Sequence, residues 1–374
     1  MHKLFLFASM LILALLVVSP IHVLAQKKQL KLAALLPLSG SGADQGIRCR
    51  HGLELALDEV KDEFTVELTF EDTRGDPKLA VDAYRNVQFR NAPHALFSWG
   101  SGVGLALTPL VNKDKIVQVG LATGTPKYRT LDDYTFRVFH SNEDEARFVA
   151  AAISARWPQG KGAVVRIQNE YGESFFEVLK EKLTSDGVEL VYEDSFLPGT
   201  VDFRTQLLNL KDKAPQFIIL LVYPVEGLAL LKQVKEFGIS NLPIISGGAL
   251  FATEVLSNSA VLSQPSLSIV IQKPSGESKA TKKREDLAVQ HQRLFDAPLE
   301  PYDFFTFRAY DAFHTVIDAA RRCVTITSDC LKGQLYASGE SDAIFYPVKF
   351  DRYGDTPAEF VFFLPGAKIL SSTP

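Results

Sequence analysis

Residues 95–109, Ala-Leu-Phe-Ser-Trp-Gly-Ser-Gly-Val-Gly-Leu-Ala-Leu-Thr-Pro, read as a buried strand, a turn of small residues and the start of a helix. Such a turn aims backbone N–H groups and one hydroxyl, that of Ser101, at whatever sits above the strand. The first N–H groups of a helix lack intrahelical partners and carry its positive end, so they attract a carboxylate or another anion. A small acid would dock there without any catalyst. Taken alone, Gly100–Gly104 reads better as only a tight turn, and Thr123 as only a cap.

Catalytic chemistry finds little support. Gly40-Ser41-Gly42-Ala43-Asp44-Gln45-Gly46 follows a strand and precedes a helix, as a dinucleotide-binding loop does. Its glycine spacing is wrong by one, however, and Pro37 sits in the turn. No Gly-x-Ser-x-Gly elbow and no phosphate-binding loop occurs. The seven histidines are scattered, with no His-x-x-x-His or Cys-x-x-Cys spacing, so no metal site is expected. The chain reads as a non-enzyme without a cofactor.

The first residues set the compartment. Lys3 precedes an apolar run from Leu4 to Val18, and Val23-Leu24-Ala25 leads to a polar start at Gln26. This pattern is a secretory signal peptide over residues 1–25, cut after Ala25. A retained anchor is the alternative, but the apolar run is short for a membrane span. Removal of residues 1–25 takes away one lysine and no acid, leaving 39 bases against 44 acids. That balance offers no basic footprint for nucleic acid. About 350 residues exceed one ordinary core, so two domains are expected. In an exported chain the close pair Cys323 and Cys330 reads as a disulfide, and Cys49 as a small buried side chain.

The elements that would position the Ser101 turn alternate strand with helix. Leu30–Leu36 is a strand ended by Pro37, and Ile47–Val60 a helix with Ile47, Leu53, Leu57 and Val60 near one face. Phe64, Val66, Leu68 and Phe70 alternate with polar residues, marking a strand with one buried face. Asp76-Pro77 caps and starts a helix. Ala95–Ser98 and Ile116–Val119 are short buried strands. After a cap at Ser141 and a helix to Trp157, strands recur at Gly162–Ile167, Val188–Tyr192, Gln216–Val222 and Pro243–Ile245, with helices between them and Gly238 at a helix end. Two such runs imply two doubly wound α/β units with parallel sheets. The tail adds a strand at Ser268–Ile271, helices at 283–295 and 302–322, and a hairpin-like pair, Ile344–Phe350 with Phe360–Leu364, around Asp351–Asp355. The polar stretch 272–286 reads as a solvated loop and helix start.

Several of these segments, in order, resemble one family. They are Leu32-Ala33-Ala34-Leu35-Leu36-Pro37-Leu38-Ser39-Gly40, Phe70-Glu71-Asp72-Thr73-Arg74-Gly75-Asp76-Pro77, the Ser101 loop, Gly120-Leu121-Ala122-Thr123 and Phe136-Arg137-Val138. The second half adds Glu170-Tyr171-Gly172, Pro198-Gly199-Thr200-Val201-Asp202-Phe203 and the Phe350–Asp355 turn. Over roughly residues 30–366 the chain resembles the periplasmic solute-binding proteins of ABC transporters, of the type that binds leucine, isoleucine and valine. The resemblance implies a type I periplasmic binding fold, with two lobes joined by three crossing segments near 140–143, 268–274 and 338–345. Lobe one would hold 26–141 and 272–340, and lobe two 142–271 and 341–368. The ligand would lie between the lobes, at the carboxyl ends of the strands.

By the same resemblance, Ser101, the Gly102 N–H, Ala122 and Thr123 would hold a ligand carboxylate, while Tyr171 and Tyr223 would cover an apolar body. One position departs from the pattern. The family commonly carries an acid for the ligand's ammonium where this chain has Gly248, within Ser246-Gly247-Gly248-Ala249. A buried ammonium without a charged partner is costly. Either another acid substitutes, with Glu226 and Asp44 as candidates, or the ligand lacks an ammonium. On Gly248 alone, a keto acid or amide is expected to bind at least as well as the matching amino acid. The implied function is capture of a small solute in the periplasm, as a monomer, for a membrane permease. A sensor of the same kind of solute is the other reading.

Overall fold

The computed structural model describes residues 27–262, 266–341 and 343–374. The signal segment 1–25 and the cleavage site at Gln26 lie outside the described residues. The first half runs β1 (Lys28–Leu36), α1 (Ala43–Val60), β2 (Phe64–Asp72), α2 (Pro77–Asn91), β3 (Ala95–Ser98), α3 (Ser101–Asp114), β4 (Val117–Gly120) and β5 (Thr135–Arg137). The second runs α4 (Asn142–Arg156), β6 (Lys161–Ile167), α5 (Glu170–Ser185), β7 (Glu189–Phe196), α6 (Arg204–Asp212), β8 (Phe217–Leu221), α7 (Pro224–Glu236), β9 (Ile244–Ser246), α8 (Thr253–Leu256), α9 (Ser259–Leu262) and β10 (Leu267–Gln272). Three helices, α10 (Ser278–Phe295), α11 (Phe304–Arg322) and α12 (Ser328–Ala337), precede β11 (Phe360–Leu364) and β12 (Ile369–Ser371).

Local sequence accounts for most of these boundaries. The Asp76 carboxylate accepts from the N–H groups of Lys78 and Leu79, with Pro77 at the first helical position. Ser141 caps α4 by accepting from Glu143 N–H. Gly238, at φ +68°, ends the α7 segment.

The strands form two sheets, in the order β2-β1-β3-β4-β5 and β12-β11-β10-β9-β8-β6-β7. The first is parallel throughout. Its β1 is buried on both faces. Leu32, Ala34 and Leu36 join a core with Leu53 and Ala56 of α1, while Ala33 and Leu35 join Ala80, Tyr84 and Leu107 of α2 and α3. That is why the segment is a continuous apolar run. In contrast, β2 lies at the sheet edge, and only Phe64 of its four apolar residues is fully buried. α11 lies on α1 so closely that a Cβ on Gly52 would sit 2.1 Å from Thr306 O.

The second sheet is parallel from β7 to β10, and β11 and β12 extend it antiparallel. Both parallel cores share one doubly wound order, and each reverses direction at one point. These points lie between β1 and β3 and between β6 and β8, the crevice positions where open α/β sheets take ligands.

The tail departs from expectation. Ile344–Phe350 is not a strand, and β11 pairs with β10 and β12 rather than with it. Its backbone groups are met by side chains instead. Asp311 accepts from Ile344 and Phe345 N–H, Arg308 donates to Tyr346 O, and Ser341 Oγ accepts from Val348 N–H. Gly354, at φ +71°, accepts from Arg137 N–H of β5, and a Cβ there would sit 2.2 Å from Thr135 O. Residues 344–356 therefore pack on elements of the first sheet and its helices. Beyond that stretch, Phe360 meets Phe148 of α4.

Candidate functional site

The carboxyl ends of β3, β6 and β8 lead into Trp99, Tyr171 and Tyr223. The rings of Trp99 and Tyr223 meet at 5.5 Å, and those of Tyr171 and Tyr223 stack at 5.7 Å. The two reversal points thus face each other. Between them lies a cavity of about 20 Å³ walled by Trp99, Tyr171, Tyr223, Phe139, Phe305, Ala122, Ala249, Gln45 and Glu145.

Among the described residues, several polar atoms at this wall have no protein partner. Trp99 Nε1 and Gln45 Oε1 are buried and unpaired, and no acceptor is hydrogen-bonded to Tyr171 Oη. Gln45 Nε2 donates to Ala249 O across the cleft. Burial, and then the Glu145 charge, push the Tyr171 phenol far above its ordinary range. Burial likewise raises Tyr223. Both therefore stay protonated and able to donate.

Among the described residues, Glu145, 1% exposed, is the one acid of the wall. Its Oε1 accepts from Gly248 N–H at 2.7 Å, and its Oε2 lies 2.6 Å from His140 Nε2. The His140 ring is buried, stacked on Phe139 at 4.0 Å, and edge-on to Phe360 at 4.8 Å.

The residues singled out from the sequence occupy two layers. Ala122, Tyr171 and Tyr223 line the cavity. Ser101 and Thr123 lie behind it: Ser101 Oγ accepts from Gly124 N–H at 3.1 Å, and Thr123 Oγ1 donates to Gly100 O at 3.4 Å. Their hydroxyls tie the 100–104 turn to the 121–124 turn, which carries Ala122. Gly102, half-buried in the first turn of α3, lies under Glu170 of α5. Gly248 reaches the site through its N–H on Glu145. The two acids weighed as substitutes lie off the cavity wall. Glu226 accepts from Gly199 N–H, and Asp44 pairs with Arg48 at 3.3 Å.

Across the cleft, the α5 residue Glu170 accepts from Thr125 Oγ1 at 2.7 Å and meets Lys127 Nζ at 3.1 Å. Arg48 donates to Phe251 O at 2.8 Å. Sequence reasoning missed Glu145, Gln45, Phe139, Ala249 and Phe305, and gave Trp99 no role. For Trp99 the signal was present: a large ring directly between a buried strand and a small-residue turn. Among the described residues, no group of His, Cys, Asp and Glu is placed to hold a metal ion.

A periplasmic binding protein family model matches residues 29–364. The chain belongs to that family. Its members are solute-binding components of transporters, not enzymes, and they work outside the cytoplasm. Among curated relatives, Leu/Ile/Val-binding protein homolog 3 of Brucella melitensis is 24% identical over 292 residues, covering 76% of this chain and 77% of its own. Leu/Ile/Val-binding protein BraC3 of Rhizobium johnstonii is 24% identical over 60% of this chain and 62% of its own. Solved structures share the fold. The branched-chain amino acid substrate-binding protein LivJ of Streptococcus pneumoniae, in complex with isoleucine, has a TM-score of 0.79 at 19% identity, covering 92% of this chain and 98% of its own. A solute-binding protein of R. palustris in complex with benzoate has a TM-score of 0.81 at 18% identity, covering 92% and 97%.

Proposed function

We infer that the protein is the extracytoplasmic solute-binding component of an ABC importer, capturing a small solute with a carboxylate and an apolar or aromatic body. The observation that carries this is the aromatic wall at the two facing reversal points, with the unpaired donors Trp99 Nε1 and Tyr171 Oη. Rings of this kind cover an apolar body, and the buried donors fix its polar end. The carboxylate is assigned to the first turn of α3, where the N–H groups of Ser101 and Gly102 begin a helix. Relatives and neighbours named for leucine, isoleucine and benzoate fall within this solute range.

Binding requires opening and closing. In this reading 26–141 with 272–356 form one lobe, and 142–271 with 357–368 the other. Gln45 with Ala249, Arg48 with Phe251 and Glu170 with Thr125 and Lys127 are the contacts that closure makes. The ligand shifts the open–closed balance by touching both lobes. The closed monomer is then what a membrane permease receives.

The test is a thermal-shift screen of hydrophobic and aromatic amino acids, their keto acids and benzoates, followed by calorimetry and small-angle scattering. Micromolar binding with a smaller radius of gyration supports the reading. A chain that none of these solutes stabilises or compacts would refute it.

A further inference from the structure

We propose that Glu145 is the specificity-determining anion of the cleft, selecting solutes that present a positively charged amine. It takes the task that an acid at position 248 would perform. This rests on the solute-binding reading above, and it reverses the expectation drawn from Gly248 alone.

The first support is position. Glu145 is fully buried yet forms part of the cavity wall. Ser141 caps α4, and that helix packs with Glu145, the fourth residue after the cap, inward while Asp144 stays exposed.

The second is charge. Among the described residues, no Lys or Arg makes an ion pair with Glu145; its partners are a backbone N–H and the His140 ring. Gly248 N–H and the His140 ring hold the carboxylate in place. A buried acid that no Lys or Arg pairs is a favourable neighbour for a cation brought by the solute. Each of its oxygens keeps a lone pair for a further donor. The π-systems of Trp99, Tyr171 and Tyr223 around the same cavity favour a cation as well.

The third is steric. A Cβ on Gly248 would lie 2.9 Å from Val270 O and 3.5 Å from Glu145 Oε1. A Cβ on Gly247 would lie 2.4 Å from Tyr171 Oη. An acid at 248 would crowd both the backbone and the carboxylate already present. The site has room for one acid, and this chain places it on α4. Glu145 acts on the solute directly, and His140 positions it.

The experiment compares matched pairs by calorimetry: leucine with 4-methyl-2-oxopentanoate, and phenylalanine with 3-phenylpropanoate. A charged hydrogen bond contributes about 1.5–3 kcal/mol, so the wild type should prefer each amine by roughly tenfold to a hundredfold. Glu145→Gln keeps an acceptor for Gly248 N–H and should erase that preference, and circular dichroism shows whether the variant is folded. Equal or stronger wild-type binding of the acid-only partner overturns the proposal, and this comparison decides it even if the variant folds poorly. An unchanged preference in Glu145→Gln also overturns it. If no member of either pair binds the wild type, the proposal is overturned, and the solute-binding reading falls with it only if the wider screen also finds no solute.

Discussion

Arg137 and Asp355, 218 residues apart, form a two-bonded ion pair, Nε to Oδ1 at 2.7 Å and Nη2 to Oδ2 at 2.8 Å. Arg137 is 1% exposed and also donates to the carbonyls of Thr123 and Thr125. One guanidinium therefore clamps the tail turn to the edge of the first sheet and to the turn behind the cavity. Asp355→Ala leaves that charge buried and unpaired, a change that costs about 3–5 kcal/mol. Urea unfolding should show the loss as a lower midpoint with an unchanged slope. A midpoint equal to that of the wild type would contradict the clamp.

Ser101→Ala removes the acceptor of Gly124 N–H. A buried donor left without a partner costs about 1–3 kcal/mol, and here the turn that carries Ala122 would loosen. Solute affinity should fall by roughly tenfold to a hundredfold while the fold persists. Calorimetry together with circular dichroism checks both parts, and an unaltered affinity counts against the role of this hydroxyl.

Gly248→Ala tests the steric argument without touching charge. The added methyl meets a main-chain oxygen 2.9 Å away, which cannot move aside as a side chain would. Overpacking of this kind costs about 1–3 kcal/mol. The melting temperature should drop in the unliganded protein, and a variant as stable as the parent would show that the β9 turn has slack.

Burial raises Asp311 to about 6, and Arg308 partly opposes this from 3.9 Å. The folded value lies above the unfolded one, so the proton is held more tightly in the native state. This contribution to stability is complete below about pH 4 and is lost as pH rises through about 6. Against Asp311→Asn, the wild type should lose roughly 2–3 kcal/mol of relative stability between pH 4 and pH 7. Parallel unfolding series at the two pH values measure this difference, and a constant gap would exclude the shifted carboxyl.

Cys323 and Cys330 are bonded, and Cys49 is free and buried. Under non-reducing conditions the native protein should react with no thiol reagent, and the denatured protein with one equivalent. The loop is short, so its bond is worth roughly 2–3 kcal/mol in the chain-entropy account. Reduction should lower the unfolding midpoint accordingly; two or three reactive thiols after denaturation would rule the bond out.

The sequence by itself determined what depends on neighbours along the chain. Alternation and apolar runs marked β1, β3, β6 and β8, the caps at Asp76 and Ser141 set helix starts, and the close spacing of Cys323 and Cys330 marked their bond. Tyr171 and Tyr223 were singled out through the family resemblance rather than the pattern, and both line the cavity. Only the tertiary structure decided the rest. Glu143, Asp144 and Glu145 are equivalent as letters, and all three suit the first turn of a helix. The angle at which α4 packs turns Glu145 alone toward Gly248, 103 residues further on. Likewise, the apolar residues from Ile344 to Phe350 carry a strand's pattern, yet their backbone is met by Asp311, Arg308 and Ser341. Periodicity reports which faces are buried. It cannot report whether a distant carboxylate or a neighbouring strand will take up the hydrogen bonds, because that depends on contacts that exist only once the chain has folded.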